Sequence, residues 1–124
     1  MRYNVLIVDD DKPTADSLAD LVSLLGHNPV TVYSARSAIK SLSEAIPEVI
    51  FLDVNMAGVD GLEVCRFIRR DPFTAGIPIV IVSANDTKAD VSAAHDAGAD
   101  AYIVKPATLE EIEAAISSLA GSRT

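Results

Sequence analysis

The chain has 124 residues and a mass of 13.1 kDa, enough for one domain that buries a core without disulfides or a structural metal. Hydrophobic residues supply 49% and charged residues 23%, which excludes a disordered tail. The formal net charge of -8 excludes the basic patch that displaces counterions from a nucleic-acid backbone, so no direct nucleic-acid binding is expected.

The first strand-length apolar run is Tyr3–Val8. Helical spacing follows over Pro13–Leu25, with Leu18, Leu21, Val22 and Leu25 on one stripe, Pro13 suited to a first turn and Gly26 to the exit. A second strand is predicted at Pro29–Tyr33 and a second helix at Ser37–Ala45, stopped by Pro47. The third strand, Glu48–Leu52, leads to a third helix at Gly61–Arg70, where Leu62, Val64, Cys65 and Ile68 form the stripe and Asp71-Pro72 ends it. Cys65 therefore reads as a packing residue. As the lone cysteine it has no internal partner. No basic segment followed by an apolar run opens the chain, and no apolar stretch approaches the roughly 20 residues of a membrane span. These features predict a reducing, cytoplasmic setting and no membrane association.

The fourth strand is predicted at Ile77–Val82, followed by a helix at Lys88–Ala97 that is poor in large apolar residues and exits at Gly98. Asp100–Val104 is the fifth strand. Leu109–Leu119 is the fifth helix, with Thr108 and Glu111 at capping-box spacing. Runs Val5–Val8, Val49–Leu52 and Ile77–Val82 are nearly continuous in Val, Ile and Leu, as strands covered on both faces are, and are assigned to the centre of the sheet. Five alternations of strand and helix predict an α/β fold, a parallel sheet joined by right-handed crossovers with helices on both faces. Residues 1–120 form the domain, and 121–124 read as a frayed end or the start of a linker.

In such a sheet, ligands bind beyond the carboxyl ends of the strands. Strand one ends in Asp9-Asp10-Asp11, strand three in Asp53-Val54-Asn55, strand four in Ser83-Ala84-Asn85 and strand five in Lys105-Pro106. A single aspartate after a strand commonly caps a helix, and Asp11 fits that role. Capping does not account for three acids and a lysine converging from different strands, because clustered carboxylates repel unless a cation or a proton offsets them. His27 and His95 have no second histidine or cysteine at ligand spacing, and neither is read as functional.

Four features, in this order and spacing, resemble the receiver domain of two-component response regulators over essentially the full chain. They are Val8-Asp9-Asp10; Asp53 followed by Asn55-Met56 and Asp60-Gly61; Ser83-Ala84; and Gly98-Ala99-Asp100-Ala101-Tyr102 leading to Lys105-Pro106. The resemblance implies a flavodoxin-like three-layer (βα)5 sandwich with strand order 2-1-3-4-5. It also implies that Asp53 is the nucleophile that takes a phosphoryl group from a sensor histidine kinase or a histidine phosphotransfer protein. Mg²⁺ would be held by Asp9, Asp10 and Asp53 with the main-chain carbonyl of Asn55, and Asp10 would be the closer ligand of the first pair. Lys105 and Ser83 would serve the phosphoryl oxygens. Pro106 would follow a cis peptide bond, and Ser83 and Tyr102 would form a switch that moves the face of helix four, strand five and helix five toward an output protein or domain.

One position departs from the family, which commonly has proline after the methionine where this chain has Ala57 after Met56. The looser loop bears on rigidity and phosphoryl lifetime, not on the chemistry. Three other readings fit less well. An aspartyl-phosphate phosphatase places its nucleophile in an Asp-x-Asp after strand one, whereas Asp9 and Asp10 are adjacent. A flavodoxin-like binder needs a phosphate-cradling loop where Asp9-Asp10-Asp11 would repel it. A binding-only pseudo-receiver has no use for the intact acids and Lys105. The chain is therefore read as a signalling module, not an independent enzyme.

Overall fold

The computed structural model describes residues 1–120. Its elements run β1 (Asn4–Val8), α1 (Lys12–Leu24), β2 (Asn28–Val32), α2 (Ala35–Glu44), β3 (Val49–Leu52), β4 (Asn55–Met56), β5 (Val59–Asp60), α3 (Gly61–Arg70), β6 (Ile79–Ser83), α4 (Lys88–Asp96), β7 (Ala101–Val104) and α5 (Leu109–Leu119). Five strands make one parallel sheet in the order β2-β1-β3-β6-β7. Apart from the two-residue strands β4 and β5, which pair only with each other, this is the expected order 2-1-3-4-5. The three runs assigned to the centre occupy it. Residues 121–124, read as a tail, lie outside the described residues.

The period-two alternation of the central strands decides which helix packs where. Leu6, Val8, Ile50, Leu52, Ile79 and Ile81 share one buried cluster with α2, α3 and α4. Val5, Ile7, Val49, Phe51, Val80 and Val82 share the other with α1 and α5. Burying each such side chain contributes about 1.5–3 kcal/mol, and slipping a strand by one residue would exchange the two sets. The layers are therefore fixed by pattern before any polar contact is counted. Among the described residues, no helix is long and apolar enough to cross a membrane.

Several boundaries move for local reasons. Helix α2 starts at Ala35, not Ser37, because the Ser34 hydroxyl accepts the Ser37 N–H and caps the helix. β6 covers 79–83 and not 77–82. The Ile77 N–H is spent on the Thr74 carbonyl in the preceding turn, and Pro78 has no N–H to give, although its carbonyl accepts from Ile50. At the other end Ser83 is drawn into the strand by its pairing with Val104. β2 covers 28–32 and leaves Tyr33 outside the ladder. α5 carries the capping box between Thr108 and Glu111 that its sequence announced. α4 buries only Ala94, in keeping with its small residues.

One polar anchor was not legible in the sequence. Arg69, near the end of α3, donates to the carbonyls of Gly98 (2.9 Å), Ala75 (3.0 Å) and Ile77 (2.6 Å) and to the Asp100 carboxylate (2.8 Å). Asp100 in turn accepts the Ile79 N–H at 2.8 Å. This one guanidinium ties α3 to the entries of β6 and β7, at the edge of the sheet opposite the acids. Arg69→Leu strands these acceptors and should cost about 2–4 kcal/mol. Arg69→Lys should recover only part, because an ammonium lacks the fork geometry. Urea unfolding checks this, and a loss below about 0.5 kcal/mol for Arg69→Leu, the scale of a neutral surface change, would contradict it.

Candidate functional site

Main-chain ladder bonds carry three side chains one step past the sheet, next to Ser83 at the end of β6. Asp9 N–H donates to the Val32 carbonyl (3.2 Å), Asp53 N–H to Val8 (2.9 Å) and Lys105 N–H to Ser83 (2.8 Å). The strands are parallel, so these residues emerge at the same edge. Asp9, Asp53 and Ser83 are buried, while Asp10 is exposed. One carboxylate oxygen from each of Asp9, Asp10 and Asp53 lies within 4.8 Å of the others. The predicted acids are thus brought together, and Asp11 is set apart as the cap of α1, accepting from Thr14.

Lys105 reaches into this group. Its Nζ is 2.9 Å from Asp9 Oδ2 and 3.5 Å from Asp53 Oδ1. The peptide bond between Lys105 and Pro106 is cis. Burial alone would lower the Lys105 pKa, but the hydrogen bond to Asp9 and the charges of Asp53 and Asp9 outweigh it, and the ammonium is held above its ordinary value. Asp53 moves the other way for an acid: burial pushes its carboxyl up, the Asn55 N–H pulls it down, Asp9 pushes it up again, and Lys105 offsets only part. One ammonium does not balance three carboxylates. A hard divalent cation with oxygen ligands fits the surplus, and Asp9, Asp10 and Asp53 are the side chains able to hold it.

The loop after Asp53 is shaped by close backbone contact. Asn55 N–H donates to Asp53 Oδ1 at 3.1 Å, and Ala57 N–H donates to Asp10 Oδ2 at 2.8 Å. Asp60 caps α3 through the Leu62 N–H. At Gly61 a Cβ would stand 2.3 Å from Val54 Cα and 2.6 Å from the Asp53 carbonyl oxygen, so only glycine lets the first turn of α3 lie against the Asp53 backbone. The Asp60-Gly61 pair serves the site by this route.

Ser83 is fixed by two donors. Its hydroxyl oxygen accepts from Asn55 Nδ2 (3.1 Å) and from the Asn85 N–H (3.1 Å). With both lone pairs engaged, its own proton is left to donate. The Asn85 carbonyl then accepts from the Tyr102 hydroxyl at 2.7 Å, and the half-buried Tyr102 ring packs against the cluster under α4. Sequence reasoning expected only a main-chain role for Asn55 and none for Asn85. Adjacency in space, not spacing in the chain, joins their side chain and carbonyl to Ser83 and Tyr102. His27 accepts the Tyr3 N–H and stacks on its ring, and Cys65 is buried with its thiol pushed up by desolvation.

Residues 5–117 match the family model described as the response regulator receiver domain. The chain belongs to that family. Receiver domains of this family work in phosphorylation-mediated signalling. The chain is 36% identical over 119 residues to the response regulator MprA of Mycolicibacterium vanbaalenii, covering 96% of this chain and 51% of that protein. It is 35% identical over 116 residues to the transcriptional regulatory protein AfsQ1 of Streptomyces coelicolor, covering 94% and 50%. The chain thus spans about half the length of the curated relatives it matches. Among solved structures, a two-component response regulator from Clostridium difficile is similar with a TM-score of 0.87 at 25% identity, covering 95% of both chains. The chemotaxis protein CheY4 of Vibrio cholerae shares the fold, with a TM-score of 0.89 at 23% identity over 96% of this chain and 99% of that one.

The raised Asp53 carboxyl gives a stability prediction for the receiver. Its folded-state pKa lies above the unfolded one, so folding favours the protonated acid, and ionisation weakens the fold at any pH above that folded value. Without divalent ions, Asp53→Asn should therefore be more stable than wild type at mildly alkaline pH, by about 1 kcal/mol. The gap should close as pH falls and the wild-type acid takes up its proton. Denaturant midpoints across pH with chelator present check the sign, and a gap that widens toward acid would contradict it.

Proposed function

We propose that this receiver accepts a phosphoryl group on Asp53 from the phosphohistidine of a sensor kinase or phosphotransfer protein, and passes the change to the face formed by α4, β7 and α5. The observation that carries the reading is the placement of Lys105 Nζ 2.9 Å from Asp9 and 3.5 Å from Asp53, beside a Ser83 hydroxyl whose lone pairs are already filled. An Asp53 oxygen forms the new bond to phosphorus as the phosphorus–nitrogen bond breaks and the electron pair leaves with the histidine. Asp53 needs no base, because its ionised form is the nucleophile. Lys105 can exchange part of its contact with the acids for a phosphoryl oxygen, and Ser83 offers its proton to another, so positioning and charge compensation carry most of the catalysis. A bound Mg²⁺ would neutralise the remaining charge, held by Asp9, Asp10 and Asp53 together with the Asn55 carbonyl. The domain's only catalysis is then of its own phosphorylation and dephosphorylation.

The switch follows from the same network. A phosphoryl group gives the Ser83 hydroxyl a charge-assisted acceptor, and moving toward it loosens the Asn55 and Asn85 contacts. Tyr102, bonded to the Asn85 carbonyl, is thereby freed to turn. α4 lies above it with a single buried residue, so a few kcal/mol suffices to rearrange that helix. The output would be a downstream protein or domain that reads this face, with no nucleic acid bound by this acidic chain itself.

Two measurements test the proposal. Acetyl phosphate or beryllofluoride should modify wild type only when a divalent ion is present, and Asp53→Asn should stay unmodified by intact mass. Equal modification of both proteins would put the nucleophile elsewhere. Amide shifts on adding beryllofluoride should be large in α4 and β7 and should collapse in Ser83→Ala; shifts confined to the loops around Asp53 would rule out the switch.

A further inference from the structure

Asp10 is the exposed member of the acid group, and a free surface aspartate would spread over several rotamers. Its side chain is instead held from across the site. Ala57 N–H donates to Asp10 Oδ2 at 2.8 Å, between residues 47 apart in the chain. Ala57 sits at the first corner of the β4–β5 hairpin, in which Met56 pairs with Val59 and Gly58 takes the second corner at φ 70°. The hairpin has no place in the main sheet. The geometry points to Ala57 as a positioning residue: its N–H fixes the Asp10 carboxylate, which has an oxygen within 4.8 Å of those of Asp9 and Asp53, and this ties the β4–β5 hairpin to occupancy of the acidic site by a divalent cation.

The physical reason is that of an outer donor on a metal ligand. Such a donor prepays the ordering of the carboxylate and spreads part of its charge onto a main-chain dipole. The dipole also eases the repulsion among three carboxylates within 4.8 Å before any ion arrives. A bound cation draws electron density from Asp10 and changes the strength of the Ala57 bond, so the hairpin registers the ion.

This rests on the reading that the acids hold a divalent cation, and the variants separate the two claims. Proline is favoured at a first corner followed by glycine at positive φ, so Ala57→Pro removes the N–H while suiting the turn. By stiffening the loop it would, if anything, favour binding. Calorimetric titration with Mg²⁺ should nevertheless show about tenfold weaker binding for Ala57→Pro, the usual scale for losing an outer partner. Ala57→Gly keeps the donor and should show no comparable loss. In wild type without added divalent ions the Ala57 amide should be shifted downfield and slow to exchange, should move on adding Mg²⁺, and should lose the downfield shift and the protection in Asp10→Ala, which has no side-chain acceptor. This second readout does not depend on the folding of the proline variant. Mg²⁺ affinity equal to or above wild type in Ala57→Pro, or an Ala57 amide indifferent to Asp10→Ala, would overturn the positioning role while leaving the ion site standing. Undiminished Mg²⁺ affinity in Asp10→Asn would overturn the ion reading itself.

Discussion

Three carboxylates share the end of a parallel sheet with one ammonium, and much of the local structure is a response to that imbalance. Lys105 bridges Asp9 and Asp53, main-chain N–H groups from Asp11, Asn55 and Ala57 each face one of the acids, and the Asp53 carboxyl is still pushed up. A site of this kind is crowded with negative charge and ordered geometrically. Both properties are what the proposed binding of a cation and acceptance of a phosphoryl group would draw on, because the acids are already oriented.

The apolar layers make this crowding tolerable. β1, β3 and β6 are buried on both faces, so their ends are held by packing that lies outside the polar region. Arg69 braces the opposite edge of the same sheet. α4 is different in kind: its one buried residue leaves it lightly attached. The scaffold is held firmly by packing around the acids and lightly at α4, which is the distribution that the proposed switch requires.

Between those regions runs a short polar chain from Asp53 through Asn55 and Ser83 to Asn85 and Tyr102. Each link is a single hydrogen bond. The polar chain ends at Tyr102, whose ring packs against the buried cluster that includes Ala94 of α4.

Most of the fold was legible in the sequence, because strand and helix periods, proline and glycine stops and the capping box at Thr108 and Glu111 are local properties of the chain. The acids, Ser83 and Lys105 were legible too, since a parallel sheet sends every strand end to one edge. What the tertiary structure alone decided were contacts between residues far apart in sequence. Arg69 acquired its role only where the fold brings the carbonyls of Ala75, Ile77 and Gly98 around it. The Asn55 side chain acquired a role from Ser83, and Ala57 from Asp10. Backbone carbonyls and N–H groups carry no residue identity, so a sequence pattern cannot announce which side chain they will meet. That depends on loop geometry set by packing, as at Gly61, where a missing Cβ lets α3 close on the Asp53 backbone.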